Sequence, residues 1–214
     1  SPGRNGFVIY GCISILIKEV YPNYSMFSVY QEPRVIKNLI THEECDFLIS
    51  FENEKLYNSN ISNNKQSKIR KSIEKSHKHD SHEIVTTIFN KCSKIVKKPV
   101  NFFERVHIVK YKIGGYYNWH RDANKEMPGY DRIYTIIIYL NDEYEGGETN
   151  FPLLNTSYKL SKGDALFFHN YNTDLSYTCL STHEACIVKS GEKHVANFWI
   201  HSSPDLKKNP SKQL

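Results

Sequence analysis

Three side chains carry the most chemical information in this sequence: His120 and Asp122, within His120-Arg121-Asp122, and His183 far downstream. In an extended segment side chains alternate with period two, so His120 and Asp122 share one face. A histidine from another strand completes a set of two imidazoles and one carboxylate. That donor set suits non-haem Fe(II), and three protein ligands leave positions open for a cosubstrate and O2. The same residue types also serve catalytic zinc, and an H-x-D triplet alone arises often by chance. Lys193, in Gly191-Glu192-Lys193-His194 between two strand candidates, sharpens the reading. An unpaired buried ammonium is costly, so a lysine beside a metal needs an anion. A dicarboxylic cosubstrate could chelate the metal with one end and meet Lys193 with the other. Taken alone, Lys193 reads as an ordinary turn lysine.

The elements that must position these residues are legible in part. Thr41-His42-Glu43-Glu44 is a capping box that opens a helix with Cys45, Leu48 and Ile49 on its apolar stripe. Arg34-Val35-Ile36 before it is a short strand candidate. Ser81 is placed to cap a second helix, whose stripe is Ile84, Ile88, Cys92 and Ile95 and which Pro99 ends. Residues 58–82 are polar and read as a solvated loop, with His77, His79 and His82 on its surface. From residue 100 onward, short apolar runs alternate with turn residues: Phe103 to Tyr111, Arg132 to Leu140, Tyr158 to Leu160, Ala165 to His169, Cys186 to Val188 and His194 to Ile200. Strands at such even spacing predict a mainly β sandwich or roll supported by the two helices.

Composition narrows the classes. The chain has 214 residues, 39% of them hydrophobic and 13% aromatic, enough for one packed domain and too apolar for a disordered chain. A net charge of +5 is too weak to argue for a nucleic-acid partner. Five cysteines without a CxxC pair argue against a structural zinc site or a disulfide scaffold; Cys186 reads as a small buried apolar residue. Gly6 to Ile17 is too short for a membrane-spanning helix, which needs about 20 residues. It reads as a strand or as the trimmed end of a signal anchor. Both endoplasmic reticulum and cytoplasm stay open as compartments, and oligomeric state is not legible. The expected organisation is an extension over 1–30, a catalytic domain over 31–203 and a tail over 204–214.

Several ordered blocks resemble the prolyl 4-hydroxylases of the Fe(II)- and 2-oxoglutarate-dependent dioxygenases. They are Glu32-Pro33-Arg34-Val35 with Glu43 to Ile49; Tyr111-Lys112-Ile113-Gly114-Gly115-Tyr116-Tyr117-Asn118-Trp119-His120-Arg121-Asp122; Arg132 to Asn141 with Gly146 to Pro152; Lys162 to Phe168; and His183 to Cys186 with Gly191-Glu192-Lys193 and Asn197 to His201. The resemblance spans about residues 30–203. It implies a double-stranded β-helix, or jelly-roll, core with helices outside one sheet. It implies iron on His120, Asp122 and His183, and the distal carboxylate of 2-oxoglutarate on Lys193, with Tyr111 and Thr135 helping to hold it. Tyr117, Arg132, Trp199 and His201 match positions near the substrate peptide. The implied activity is hydroxylation of proline in a peptide or protein, with O2 as cosubstrate, succinate and CO2 as products, and ascorbate as reductant.

The sequence departs from the family around the metal. Trp119 stands where many members have Pro, Thr182 where Arg or Leu is common, and Glu184 where Ala is frequent. These changes bear on the substrate groove more than on the iron chemistry. Other readings are a 2-oxoglutarate oxygenase of another side chain, small molecule or nucleic acid, a non-catalytic jelly-roll module, and a zinc hydrolase. Lys193 argues against the nucleic-acid demethylases, which typically use Arg for the cosubstrate carboxylate.

Overall fold

A computed structural model describes residues 29–54, 69–123 and 131–204. The expected strand or anchor at Gly6 to Ile17, and the tail beyond 204, lie outside the described residues. The elements are β1 (Arg34–Ile36), α1 (His42–Glu54), β2 (Arg70–Lys71), β3 (Ile73–His77), α2 (Glu83–Val96), a 3-10 turn at Val100–Phe102, β4 (Val106–Tyr111), β5 (Tyr116–His120), β6 (Arg132–Tyr139), β7 (Tyr144–Gly146), β8 (Thr149–Phe151), β9 (Thr156–Tyr158), β10 (Ala165–His169), β11 (His183–Ala185), β12 (Val188–Gly191) and β13 (Lys193–His201). A six-stranded sheet runs β1-β10-β6-β13-β4-β3, a five-stranded sheet runs β2-β5-β11-β8-β9, and β12 pairs β7. Every pairing among them is antiparallel. This is the expected mainly β, jelly-roll core with helices on one sheet.

The two sides of the large sheet do different work because side chains alternate along each strand. On β13, Ala196, Phe198 and Ile200 join Ile136 and Ile138 of β6 and Val106 and Ile108 of β4 in a core with α1 and α2. Phe89 of α2 sits in that core edge-on to Phe103 and Phe198, with centroids 5.8 and 4.9 Å away. The alternate residues Val109, Tyr111, Ile137, Tyr139 and Val195 face the other way, into a second core with Phe151, Leu166 and Phe168. Lys193 and Trp199 share that inner face. A continuous β-branched run such as Ile136-Ile137-Ile138 is thus used on both sides, as a strand buried between layers requires.

The helix starts follow local chemistry. The Thr41 amide donates to Glu44 Oε2 at 2.7 Å and the Glu44 amide to Thr41 Oγ1 at 3.2 Å, closing the capping box. On α2 the cap is His82, whose Nδ1 accepts from the Ile84 amide at 3.2 Å, and not the expected Ser81. Lys97 ends α2 in the left-handed region at φ 52° before Pro99 stops it.

Four further expectations are corrected. The polar stretch 58–82 is not one solvated loop: Arg70–Lys71 pairs with β5 and Ile73–His77 with β4. Cross-strand pairing overrides its polar composition, and an edge strand tolerates outward residues such as Ile73, 46% exposed. His77 is buried against Phe51 (centroids 4.5 Å apart), and His79 and His82 are half-buried against Phe89 and Phe47. Cys186 is half-buried, not a core residue, and the four described cysteines are free. The late strands also shift: β9 ends at Tyr158 and β12 starts at Val188.

Candidate active site

Two of the metal-ligand candidates lie opposite one another on adjacent strands of the small sheet, and the third follows just past its edge. His183 of β11 pairs with His120 of β5 and Ala185 pairs with Tyr117, so β5 spends one more residue than β11 between the two pairs. This β-bulge breaks the strict alternation, placing Tyr117 and His120 on one face with their rings stacked at 3.6 Å. Asp122 follows just past the strand end. His120 Nε2 then lies 3.6 Å from Asp122 Oδ1, and His183 Nε2 lies 3.8 Å from Asp122 Oδ2. One ligand atom from each of the three residues falls within 4.8 Å of the others.

Each ligand is oriented by a second partner. His120 Nδ1 donates to the Asn118 carbonyl at 2.8 Å and His183 Nδ1 to the Ser181 carbonyl at 3.0 Å. Carbonyl oxygens only accept, so both rings carry hydrogen on Nδ1 and present Nε2 lone pairs inward, the tautomer a metal needs. Burial, aided by His183, pushes the His120 imidazolium down to about 4, so the ring is neutral at physiological pH. For Asp122, burial opposes ionisation. His183, His120 and a 2.8 Å hydrogen bond from Thr135 Oγ1 outweigh it and hold the carboxyl below its ordinary value. Two imidazoles and a carboxylate on one side of a cavity fit a ferrous ion.

That cavity is about 260 Å³, and its far wall comes from the large sheet. Lys193 is 2% exposed, and its Nζ donates to the Gly147 carbonyl at 2.7 Å. Gly147 has φ 68°, and a Cβ there would meet Lys193 Cδ at 3.3 Å; glycine permits this close approach. Burial pushes the Lys193 ammonium down to about 8. A carbonyl does not neutralise it, so a carboxylate arriving there removes a real electrostatic cost. Tyr111, the cross-strand partner of Lys193, also lines the cavity. Burial raises its phenol to about 12, leaving the O–H to donate. A dicarboxylate bridging the ligand face and Lys193 therefore fits the residues present.

The other candidates divide. Thr135 does not join Lys193: it pairs with Trp199, six residues along β13 from 193, or ~20 Å at ~3.3 Å per residue. Its hydroxyl holds Asp122 and accepts from Asn170 Nδ2 at 3.0 Å. Thr149, which sequence reading did not single out, lines the cavity instead and shares a 2.7 Å hydrogen bond with the Tyr139 hydroxyl. Tyr117, Arg132 and Trp199 line the cavity. His201 does not: it is 1% exposed and bonds Glu104 Oε1 at 2.6 Å. Glu104, also unforeseen, takes both Arg132 Nε (2.5 Å) and NH2 (2.8 Å), and Arg132 lies 3.9 Å over the Trp199 ring. Burial opposes the Glu104 charge, but His201 and Arg132 outweigh it and bring the carboxyl down to about 2. Farther across the same sheet, Glu74 bridges Arg70 and His107, and His107 packs on Trp199 at 4.6 Å. Nothing in the sequence marked Glu104, Glu74 or His107, whose partners are distant along the chain.

A jelly roll with a His-Asp-His face opposite a buried lysine defines a 2-oxoglutarate-dependent Fe(II) dioxygenase. Residues 106–201 match the family model of the 2OG-Fe(II) oxygenase superfamily. A prolyl 4-hydroxylase homologue of Acanthamoeba polyphaga mimivirus is 32% identical over 197 residues, covering 86% of this chain and 80% of the relative. Prolyl 4-hydroxylase 5 of Arabidopsis thaliana is 28% identical, covering 79% and 69%. The crystal structure of a viral collagen prolyl hydroxylase from Paramecium bursaria Chlorella virus-1, as its 2OG complex, superposes with a TM-score of 0.68 at 28% identity, covering 81% and 97%. The chain belongs to the prolyl 4-hydroxylase family. Among the described residues no helix is long and apolar enough to cross a membrane.

Proposed function

We propose that this chain hydroxylates proline within a peptide or protein, consuming 2-oxoglutarate and O2 and releasing succinate and CO2. The observation that carries the reading is the single cavity onto which His120, Asp122, His183 and Lys193 all open. The family relatives named for proline hydroxylation support the substrate class. Collagen-like sequence is our first choice, because the viral collagen prolyl hydroxylase matches over nearly its whole length. Ascorbate is the reductant we assign for keeping the iron ferrous.

Bound iron and 2-oxoglutarate supply the oxidation: one oxygen atom of O2 goes to the prolyl carbon and the other to succinate as CO2 leaves. His120, Asp122 and His183 would hold the metal. Lys193 and Tyr111 bind the far carboxylate of the cosubstrate, which fixes its reacting end toward the ligands. Ile137 and Val195 form an apolar wall that limits water near the reacting atoms. Arg132 and Trp199, held by Glu104, form the wall that the peptide meets.

The test supplies Fe(II), 2-oxoglutarate, ascorbate and either a collagen-like Pro-Gly peptide or a proline-containing segment of a globular protein. Mass spectrometry follows hydroxyproline and succinate together. We expect hydroxyproline with matching succinate, lost in His120→Ala. Cosubstrate turnover with no oxidised proline in any peptide would move the substrate elsewhere.

A further inference from the structure

A second cavity, of about 450 Å³, lies against the first and shares His120 and Arg121 with it. That size lies within the ~300–1,000 Å³ typical of ligand sites. Trp119, Leu153, Tyr177 and Cys179 line it. His120 faces inward opposite His183, so its neighbour Trp119 points outward, 61% exposed, and Tyr177 is 36% exposed. The Arg121 guanidinium sits 4.2 Å from the Tyr177 ring centroid, a contact that holds the ring in place. Among the described residues, no carboxylate lines the groove.

We propose that this groove is a specificity subsite that binds the residues flanking the target proline, as an extended proline-rich segment of the same substrate. The inference rests on the proline-hydroxylase reading and names where the rest of the peptide lies. Continuity identifies the occupant: His120 and Arg121 border both cavities, so a chain with its proline at the ligand face continues past them into the groove. The wall chemistry identifies its conformation. Aromatic-lined grooves take polyproline II segments, whose preformed backbone loses little entropy on docking. Trp119 and Tyr177 offer ring faces for pyrrolidine rings, and Arg121 disfavours lysine or arginine at the flanking positions.

Two peptides with the same central target test this, a capped tripeptide and one extended by proline-rich flanks. We expect the parent to show a KM about tenfold lower for the extended peptide, a ~1.4 kcal/mol preference. That ratio should fall toward one in Trp119→Ala and in Tyr177→Ala, and persist in Trp119→Phe. In a separate titration, the extended peptide should change the parent's tryptophan emission in a way the tripeptide does not, and that difference should be absent from Trp119→Phe. If Trp119→Ala loses turnover altogether, the emission titration decides. A parent without length preference, a ratio unmoved in Trp119→Ala, or identical emission with both peptides overturns the groove while proline hydroxylation stands. A parent that oxidises neither peptide overturns the reading beneath it.

Discussion

Thr135→Val separates holding the metal ligand from holding the cosubstrate. The substitution keeps the branched shape and removes the hydroxyl that donates to Asp122 Oδ2 at 2.8 Å. A hydrogen bond to a charged acceptor is worth ~1.5–3 kcal/mol, which corresponds to about 10–100-fold in an equilibrium constant. Loss of a metal ligand's outer partner weakens metal binding by a similar factor. The variant should therefore bind Mn(II), used as a redox-inert stand-in for Fe(II), about 10–100-fold more weakly by calorimetry. Its apparent KM for Fe(II) should rise in parallel, while the KM for 2-oxoglutarate at saturating metal moves little. A second effect comes from Asn170, a buried side chain whose Nδ2 loses its acceptor. That orphaned donor should cost ~1–3 kcal/mol of stability in denaturant unfolding. Unchanged metal affinity together with a raised 2-oxoglutarate KM would return Thr135 to the cosubstrate and refute the geometric argument.

Further expectations follow from the same contacts. Lys193→Met should raise the KM for 2-oxoglutarate at least about 100-fold, the order of ~3–5 kcal/mol for removing one partner of a buried charge pair, while stabilising the ligand-free protein. Because the folded-state pKa of Lys193 is lowered to about 8 from 10.5, the folded state holds fewer protons across that window and stability rises with pH through it; parent-minus-variant unfolding free energies should show this slope, and parallel curves would refute it. Glu104 is lowered to about 2 from 4.5, so its contribution is present above the unfolded value and is lost as pH falls toward 2. Acid unfolding of Glu104→Gln should lack a component on the order of 3 kcal/mol, and its peptide KM should rise as Arg132 loses its anchor. Phe89→Ala, in the helix-side core, should cost ~3–5 kcal/mol by chemical denaturation without changing metal affinity.

Much of the fold was legible because local rules and tertiary packing agree. The Thr41–Glu44 capping box, the stripe of α2 and the β-branched run of β6 each satisfy local preference and burial together. Reading failed where distant contacts decide. Arg70–His77 is polar enough for a loop and is held as strand by β4 and β5. Glu104 acquires meaning only through Arg132, 28 residues away, and His201, 97 residues away. Family resemblance put Thr135 with the cosubstrate and His201 with the substrate, but strand register sends the first to Asp122 and the second beneath Glu104. Residue spacing identified the donor set, while the carbonyls that fix its tautomers are backbone groups that no side-chain pattern encodes.

The cross-strand pairing of the two imidazoles has an implication for engineering. His183 lies directly opposite His120, so a regular antiparallel ladder on another scaffold already turns both rings to one face. A one-residue slip of β11 against β5 would send one ring to the opposite face and abolish metal uptake with every donor still encoded. The portable unit is the register of that pair together with its triplet.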